Sequence, residues 1–214
     1  MRITSLGHSC LLVEGGDVRV LIDPGNFSAG FEDLTGLGAV LVTHQHPDHA
    51  DPERLPALLD ANGDARLLIE PETAQVRGLP PDAAFAAGSS ADVGGLSIRA
   101  VGGQHALIHD RVPRPGNVGF VVAERGGPTL FHPGDSYAEA PAGVDVLAYP
   151  LSAPWTKVAE TLEFLRAVSA PKAFPIHDAT VSAAGRAMYL AHTSDFGPAE
   201  TEVVDLAGGT PHDF

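Results

Sequence analysis

Thr43-His44-Gln45-His46-Pro47-Asp48-His49 follows directly after the apolar run Ala39-Val40-Leu41-Val42. Three histidines and one aspartate thus fall within six residues, at the end of a segment that reads as a buried strand. A strand ending in this way delivers its polar side chains to one edge of a sheet. Imidazole and carboxylate together suit Zn²⁺ or a similar first-row ion. The segment therefore predicts a metal site. A surface turn that happens to be rich in histidine is the weaker interpretation, because the chain has only ten histidines.

The spacing divides these side chains into two sets. His44 and His46 alternate along extended chain and so share a face, while Asp48 and His49 turn toward a neighbouring position. Two adjacent metal ions would each need a separate set of ligands of this kind.

Four further strand ends carry polar residues in an order that, with the histidine segment, resembles the metallo-β-lactamase superfamily of metal-dependent hydrolases. The resemblance covers nearly the whole chain. Its remaining motifs are Asp23 after Val20–Ile22, His105 after Val101–Gln104, Asp135 within Gly134-Asp135-Ser136, and His177 after Ala173–Ile176.

Two more segments, Ile3–Cys10 and Asn117–Phe120, are similar to the branch of this superfamily that includes L-ascorbate-6-phosphate lactonase. The resemblance implies an α/β fold, the αββα sandwich, with two mostly antiparallel or mixed sheets flanked by helices. The metal site would lie at one edge between the sheets. We expect a single domain over residues 1–214.

The resemblance also implies two divalent metal ions per chain, with Zn²⁺ expected and Mn²⁺ or Fe²⁺ as alternatives. Water held between two such ions would be deprotonated near neutral pH, since one bound Zn²⁺ already lowers the pKa of water to about 7. The resemblance implies hydrolysis of a small, anionic ester, either a phosphodiester or a lactone. His44, His46 and His105 would hold the first ion, and Asp48, His49 and His177 the second, with Asp135 bridging.

Two aspartates have roles that the sequence leaves open. Asp48 is expected to bind metal and also to orient the nucleophile or pass a proton to the leaving group. Asp23 either orients a ligand from behind or simply caps backbone N–H groups in the turn Asp23-Pro24-Gly25. His8 and His132 flank the motifs and are expected to support ligands or face the substrate.

The loop between His105 and Asn117 is the other candidate for substrate binding. It places His109, Arg111 and Arg114 beside the expected site, in a chain with few cations. Arginine suits phosphate or carboxylate, whereas the plainer interpretation is a solvated hairpin in which Arg111 pairs with Asp110. Trp155 either forms a pocket wall or covers the core.

Composition limits the classes of partner. The net charge of −14 and only 13 basic residues argue against nucleic acid, whose phosphates are bound by clustered Lys and Arg. No apolar stretch approaches the roughly 20 residues of a membrane span, and Met1–Thr4 begins a strand pattern without a signal-peptide core. We therefore expect a cytoplasmic enzyme that acts on a small molecule. The single cysteine, Cys10, is expected to be a buried thiol. The oligomeric state stays open.

Hydrophobic patterning predicts ten strands and three helices. The helices are Val158–Val168, with Ala159, Leu162, Leu165 and Val168 as its apolar stripe, and two segments near 52–60 and 182–191. Hairpin turns are expected at Gly15-Gly16-Asp17 and Gly126-Gly127-Pro128. The strands are Arg2–Leu6, Cys10–Glu14, Val18–Ile22, Ala39–Val42, Arg66–Ile69, Ser97–Val101, Val118–Glu124, Thr129–Phe131, Val144–Tyr149 and Lys172–Ile176.

Two other functions compete with the hydrolase. The first is a catalytically silent metal-binding protein of the same fold, against which the full set of expected ligands argues. The second is a di-iron redox protein, but those relatives place Glu where this chain has His46 and carry a flavin domain that is absent here.

Overall fold

Two mixed β-sheets form the centre of the protein in a computed structural model that describes all 214 residues. Sheet 1 has the spatial order β13-β1-β2-β3-β4-β5, and sheet 2 the order β12-β11-β10-β9-β8-β7-β6. The strands of sheet 1 are β1 (Arg2–Ser5), β2 (Leu11–Gly15), β3 (Val18–Ile22), β4 (Ala39–Val42), β5 (Arg66–Ile69) and β13 (His212–Asp213). Those of sheet 2 are β6 (Ser90–Val93), β7 (Leu96–Gly102), β8 (Val118–Glu124), β9 (Thr129–His132), β10 (Val146–Pro150), β11 (Lys172–Ile176) and β12 (Glu202–Val203).

Helices cover the outer faces of both sheets. They are α1 (Leu55–Ala61), α2 (Pro71–Val76), α3 (Val158–Val168) and α4 (Ala183–Phe196), with a short 3₁₀ turn at Pro81–Ala83. In β4, Ala39 and Leu41 belong to the core between the sheets, while Val40 and Val42 pack in the layer that contains α1. Both faces of the strand are buried because parallel strands are covered on both sides. The four layers confirm the predicted αββα sandwich.

Strand direction decides at which edge of each sheet the side chains that follow the strands lie together. Strand β2 pairs antiparallel with both β1 and β3, so β1 runs in the same direction as β3. Strand β4 pairs parallel with β3, and β5 pairs parallel with β4. In sheet 2, β7 and β9 flank β8 antiparallel, and β10 and β11 continue parallel to β9. The carboxyl ends of β1, β3 and β4 therefore share one edge of sheet 1, and those of β7, β9, β10 and β11 share one edge of sheet 2.

The predicted strands and hairpins are confirmed. All ten predicted strands are present, with ends within two residues of those expected, and both glycine turns join neighbouring strands. The three predicted helices correspond to α1, α3 and α4. The prediction omitted β6, β12, β13 and α2. The two-residue strands β12 and β13 are too short to show a period.

The predicted apolar stripe of α3 is partly wrong. The buried residues are Thr161, Phe164, Leu165 and Val168, whereas Ala159 is exposed. Positions repeating strictly every three residues drift around a helix of 3.6 residues per turn, so that they leave one face. The steps i, i+3, i+4 and i+7 stay on it, and these are the positions that pack against sheet 2.

Cys10 is fully buried just before β2, as expected for a structural thiol. Burial raises the pKa of this thiol well above its ordinary value, and the nearby charge of Asp23 adds to the effect. No helix has both the length and the apolar character to cross a membrane.

Phe120 fills the core between the two sheets without solvent exposure. Replacing Phe120 with alanine should destabilise the protein by about 3–5 kcal/mol, because the cavity between rigid sheets closes only in part. Urea unfolding followed by circular dichroism measures the change. The control is Phe196→Ala, since that ring is 58% exposed on α4; equal losses for both variants would contradict the two-sheet core.

Candidate metal centre

The predicted site residues gather at one edge of the sandwich, where the two sheets meet. Asp23 follows β3 and the histidine segment follows β4, while His105, Asp135 and His177 follow β7, β9 and β11. The backbone N–H of Val118, at the start of β8, donates to the carbonyl of Thr43 at 2.9 Å. This bond joins the two sheets at the edge where the side chains meet.

Three groups of side chains place their candidate ligand atoms within 4.8 Å of one another. The structure thus brings together all seven side chains expected to bind metal, and it adds His8. The groups are His44 with His46 and His105; His8 with Asp48, His49 and His177; and His44 with His49 and Asp135.

Asp135 lies between the first two groups. Its Oδ1 is 3.1 Å from Nε2 of His49, and its Oδ2 is 3.1 Å from Nε2 of His177 and 3.4 Å from Nε2 of His105. One carboxylate therefore reaches histidines of both groups, which is the placement that a bridging ligand requires.

The residues present fit metal ions. Four buried atoms in the centre have no hydrogen-bond partner: Nε2 of His49, His105 and His177, and Oδ1 of Asp135. A buried polar atom left unpaired typically costs about 1–3 kcal/mol, so four in one place need a common partner. Imidazole nitrogen and carboxylate oxygen are the donors that Zn²⁺ and related ions accept.

Hydrogen bonds behind the rings aim these nitrogens inward. Nδ1 of His105 donates to the carbonyl of Ala106 at 2.7 Å, and Nδ1 of His177 donates to that of Ser152 at 2.8 Å. A carbonyl can only accept, so each Nδ1 carries the proton and each Nε2 offers its lone pair to the centre.

Asp23 contacts a candidate ligand from behind and also caps a backbone N–H. Its fully buried carboxylate lies 2.7 Å from Nδ1 of His49, and it also accepts from the backbone N–H and the hydroxyl of Thr43 at 2.8 and 2.7 Å. The N–H that it caps belongs to the ligand loop and not to its own turn. Sequence reasoning missed Thr43, whose hydroxyl is also 3.0 Å from Nδ1 of His44. A hydroxyl residue directly before the first histidine was the available signal.

His8 supports Asp48. The Nδ1 atom of His8 accepts the backbone N–H of Ala179 at 3.3 Å, so Nε2 carries the ring proton and donates to Oδ2 of Asp48 at 3.1 Å. In this arrangement His8 orients the candidate ligand Asp48, although His8 also belongs to one of the three groups of candidate ligand atoms.

His132 acts away from the centre, because both of its nitrogens are used. Its Nε2 donates to the carbonyl of Ser9 at 3.0 Å, and its Nδ1 accepts the N–H of Gly134 at 3.2 Å. It therefore supports the turn that presents Asp135 and does not face a substrate. The side chain of Asn117, missed as a site residue, accepts the N–H of Asp135 at 2.9 Å.

Charge inside the centre is balanced locally. Burial lowers the pKa of His44 well below its ordinary value, and the charge of His49 adds to this. Burial opposes charge on His49 and Asp135 as well, but neighbouring charges outweigh it: Asp135 and Asp23 hold the pKa of His49 well above its ordinary value, and His177 and His49 hold that of Asp135 well below.

The backbone is strained at three of these positions. His8, Asp23 and His177 have φ values of 49°, 48° and 58°, and they make up three of the five non-glycine residues with positive φ. Such conformations persist only where the surroundings fix them, and they cluster at functional sites.

Of the four residues expected to bind substrate, Trp155 and Arg114 line cavities beside the centre, whereas Arg111 and His109 do not. Trp155 donates its indole N–H to Oδ2 of Asp135 at 2.9 Å and lines a cavity of about 370 Å³ over the centre. Arg114 donates Nε to the carbonyl of His105 at 2.5 Å. Arg111 and His109 are exposed and line none of the principal cavities. Arg111 forms no ion pair with Asp110; its backbone N–H instead donates to Nδ1 of His109 at 3.1 Å.

The sequence of this chain matches a known protein family and several relatives. The family model of the beta-lactamase superfamily domain matches residues 2–177. Protein Rv0786c of Mycobacterium tuberculosis is 44% identical over 95% of this chain and 96% of its own. A UPF0173 protein of Pyrococcus furiosus is 30% identical, with 86% of each chain covered. A UPF0173 metal-dependent hydrolase of Methylobacterium nodulans is 28% identical over 83% of this chain and 84% of its own.

Solved structures share the fold at low sequence identity. A Parabacteroides distasonis protein classed as a metal-dependent hydrolase has a TM-score of 0.75 at 19% identity, with 95% of this chain and 91% of that one covered. The di-iron β-hydroxylase CmlA of Streptomyces venezuelae has a TM-score of 0.69 at 14% identity, with 96% of this chain and 53% of that one covered. At these identities the likeness concerns the fold alone.

Gly25 offers a direct test of how the ligand loop is held. A Cβ atom at this position would lie 1.7 Å from the backbone oxygen of Asp48, which no L side chain tolerates. Gly25→Ala should therefore displace Asp48 and His49 and reduce the metal bound, measured by elemental analysis of Zn²⁺-saturated protein. Gly63→Ala is the control, because its Cβ would meet only an oxygen at 4.0 Å. Full metal content in Gly25→Ala would refute this packing.

Proposed function

The chain belongs to the beta-lactamase superfamily and is a metal-dependent hydrolase, and from this premise we propose that it binds two divalent ions and hydrolyses an ester bond of a small anionic molecule. One observation carries the proposal: four buried, unpaired ligand atoms converge where Asp135 reaches histidines of two adjacent groups. His105 and His177 share no group of ligand atoms within 4.8 Å, so a single ion would leave part of this set without a partner.

The proposed ligands follow the two groups. His44, His46 and His105 would hold one ion, and Asp48, His49 and His177 the other, with Asp135 shared. Zn²⁺ suits these nitrogen and oxygen donors best, and Mn²⁺ or Fe²⁺ are the alternatives. When bound, the two ions would supply Lewis acidity at the scissile bond and a water that is deprotonated near neutral pH.

Asp48 is the proposed proton-handling residue. Its side chain is 21% exposed, against 5% for Asp135, and it lines the cavity over the centre. It is therefore the carboxylate that a leaving group can approach. His8 holds its Oδ2, which fixes the direction in which the other oxygen faces.

The lining of this cavity offers no serine or cysteine as a covalent nucleophile. Its single hydroxyl belongs to Thr180. Cys10 is fully buried, and its raised pKa keeps the thiol protonated. Direct attack by water is the simpler route, and it agrees with the metal-dependent premise.

The proposed substrate is a phosphodiester or a lactone that carries negative charge. The cavity of about 370 Å³ suits a small molecule. Arg114 lies behind His105 and forms no ion pair with a carboxylate, so its charge is available to an anion. Arg111 lies on the same loop beside His109 and adds positive charge at longer range. The net charge of −14 supports a small substrate over nucleic acid, and a cytoplasmic location is part of the same proposal.

Elemental analysis tests the dinuclear centre. Metal-replete protein should contain about two equivalents of metal, as in other sites with paired ions, and His105→Ala should retain about one because only one group loses a ligand. His192→Ala is the control, since His192 bonds within α4 to the carbonyl of Met188. A wild-type content that saturates at one equivalent would remove the dinuclear proposal.

Asp48→Asn tests proton handling. Turnover of bis(p-nitrophenyl) phosphate or of a γ-lactone by metal-loaded protein should fall by roughly 10²–10⁴-fold, the usual contribution of a positioned acid or base, while metal content falls far less. Asp178→Asn is the matched control, because Asp178 pairs with Arg186 outside the cavity. Activity that declines only in proportion to lost metal would leave Asp48 as a ligand alone.

A further inference from the structure

A second and larger cleft, of about 660 Å³, opens beside the candidate metal centre. We call it the aromatic cleft. Trp155 lines both this cleft and the cavity over the centre, so the two spaces are neighbours that share one wall. Seven of its eleven lining residues are hydrophobic: Ala106, Tyr137, Ala138, Trp155, Ala159, Phe164 and Ala167.

Three aromatic rings form the wall and floor of the aromatic cleft. Trp155 meets Tyr137 edge-on with ring centroids 4.8 Å apart, and Tyr137 stacks on Phe164 at 4.5 Å. The polar ends of these rings are already bonded. The Trp155 indole N–H donates to Asp135, and the Tyr137 hydroxyl donates to the carbonyl of Pro150 at 2.6 Å. A ligand in the cleft therefore meets fixed apolar surface, which costs little reorganisation on binding.

The charges that line the cleft leave one cation unpaired. Glu160 lies 3.8 Å from the ammonium of Lys157, and Glu163 accepts from Arg166 at 2.6 Å. Arg114 bonds only to the neutral carbonyl of His105, so its guanidinium has no carboxylate partner. The positive charge thus lies on the side of the cleft nearest to the metal centre.

We propose that the aromatic cleft binds an aryl or bulky alkyl group of the substrate, while Arg114 holds an anionic group of the same molecule. This inference rests on the proposed function, and it narrows the substrate to an amphipathic ester or lactone. The surface supports both features: apolar rings would gain nothing from a purely ionic substrate, and an unpaired arginine beside them favours an anion. The cleft volume falls within the range of small-molecule sites, about 300–1,000 Å³.

The chain's single tryptophan allows the cleft to be tested without catalysis. Metal-free protein is titrated with 4-phenylbutyrate, and Trp155 fluorescence should change saturably. Butyrate, which lacks the ring, and 4-phenylbutanol, which lacks the charge, should each bind at least about tenfold more weakly, as expected when a well-matched apolar or charged group is lost.

Substitutions locate the binding. Ala159→Phe and Ala167→Phe fill the cleft from the exposed face of α3 and should raise the Kd of 4-phenylbutyrate at least about tenfold. Ala187→Phe places the same ring on an exposed position of α4 and should leave the Kd unchanged. Arg114→Gln, which keeps a donor for the His105 carbonyl, should abolish the preference for 4-phenylbutyrate over 4-phenylbutanol. The exposed Arg111→Gln should preserve it.

Hydrolysis separates this inference from the proposed function. With metal-loaded protein, Ala159→Phe and Ala167→Phe should lower kcat/KM for γ-phenyl-γ-butyrolactone and spare γ-butyrolactone. Saturable binding of 4-phenylbutyrate without hydrolysis of any ester, lactone or phosphodiester would support the cleft and overturn the hydrolytic proposal. Hydrolysis of both lactones with equal kcat/KM, unaffected by the filled cleft, would overturn the cleft and leave the hydrolase intact.

Discussion

The buried carboxylate of Asp23 is the contact on which the metal centre depends. It accepts from the backbone and hydroxyl of Thr43 and from Nδ1 of His49, so one side chain ties the end of β3 to the end of β4 and orients a candidate ligand. A carboxylate without solvent exposure is tolerable only when several donors surround it. The strained φ of 48° at Asp23 is the conformational cost of that placement, and Gly25, two residues further on, allows the ligand loop to pack directly against this turn.

Hydrogen bonds also orient other candidate ligands along this sheet edge. His49, His105 and His177 each have Nδ1 committed to a bond behind the ring and Nε2 buried without a hydrogen-bond partner. Such an arrangement is stabilised by whatever binds these atoms, because ions that bind only the folded chain shift the folding equilibrium toward it. Fold and metal site are therefore coupled: the sheets position the ligands, and occupied ligands hold the two sheets together at this edge.

The surroundings of the centre point to its specificity. A strongly acidic protein repels anions at long range, yet the one charge lining the neighbouring cleft without a partner is that of Arg114. Trp155 lies between the metal centre and the aromatic cleft: its N–H donates to Asp135, and its ring packs edge-on against Tyr137. The anion recognition that we propose would thus be short-range and accompanied by apolar contact, which favours a substrate with both characters over a highly charged one.

The sequence by itself determined ten of the strands and three of the helices, because hydrophobic period is a local property of the chain. The four-layer fold and the seven candidate ligands were implied by the family resemblance that the strand-end motifs carry. Only the tertiary structure decided which atoms those side chains use. His8 meets Asp48 across 40 residues, and Trp155 meets Asp135 across 20. Arg114 proved to lie behind His105, whereas Arg111 on the same loop faces solvent. These partners are set by how two sheets pack and where their loops cross, and no spacing along one strand encodes a distance between sheets.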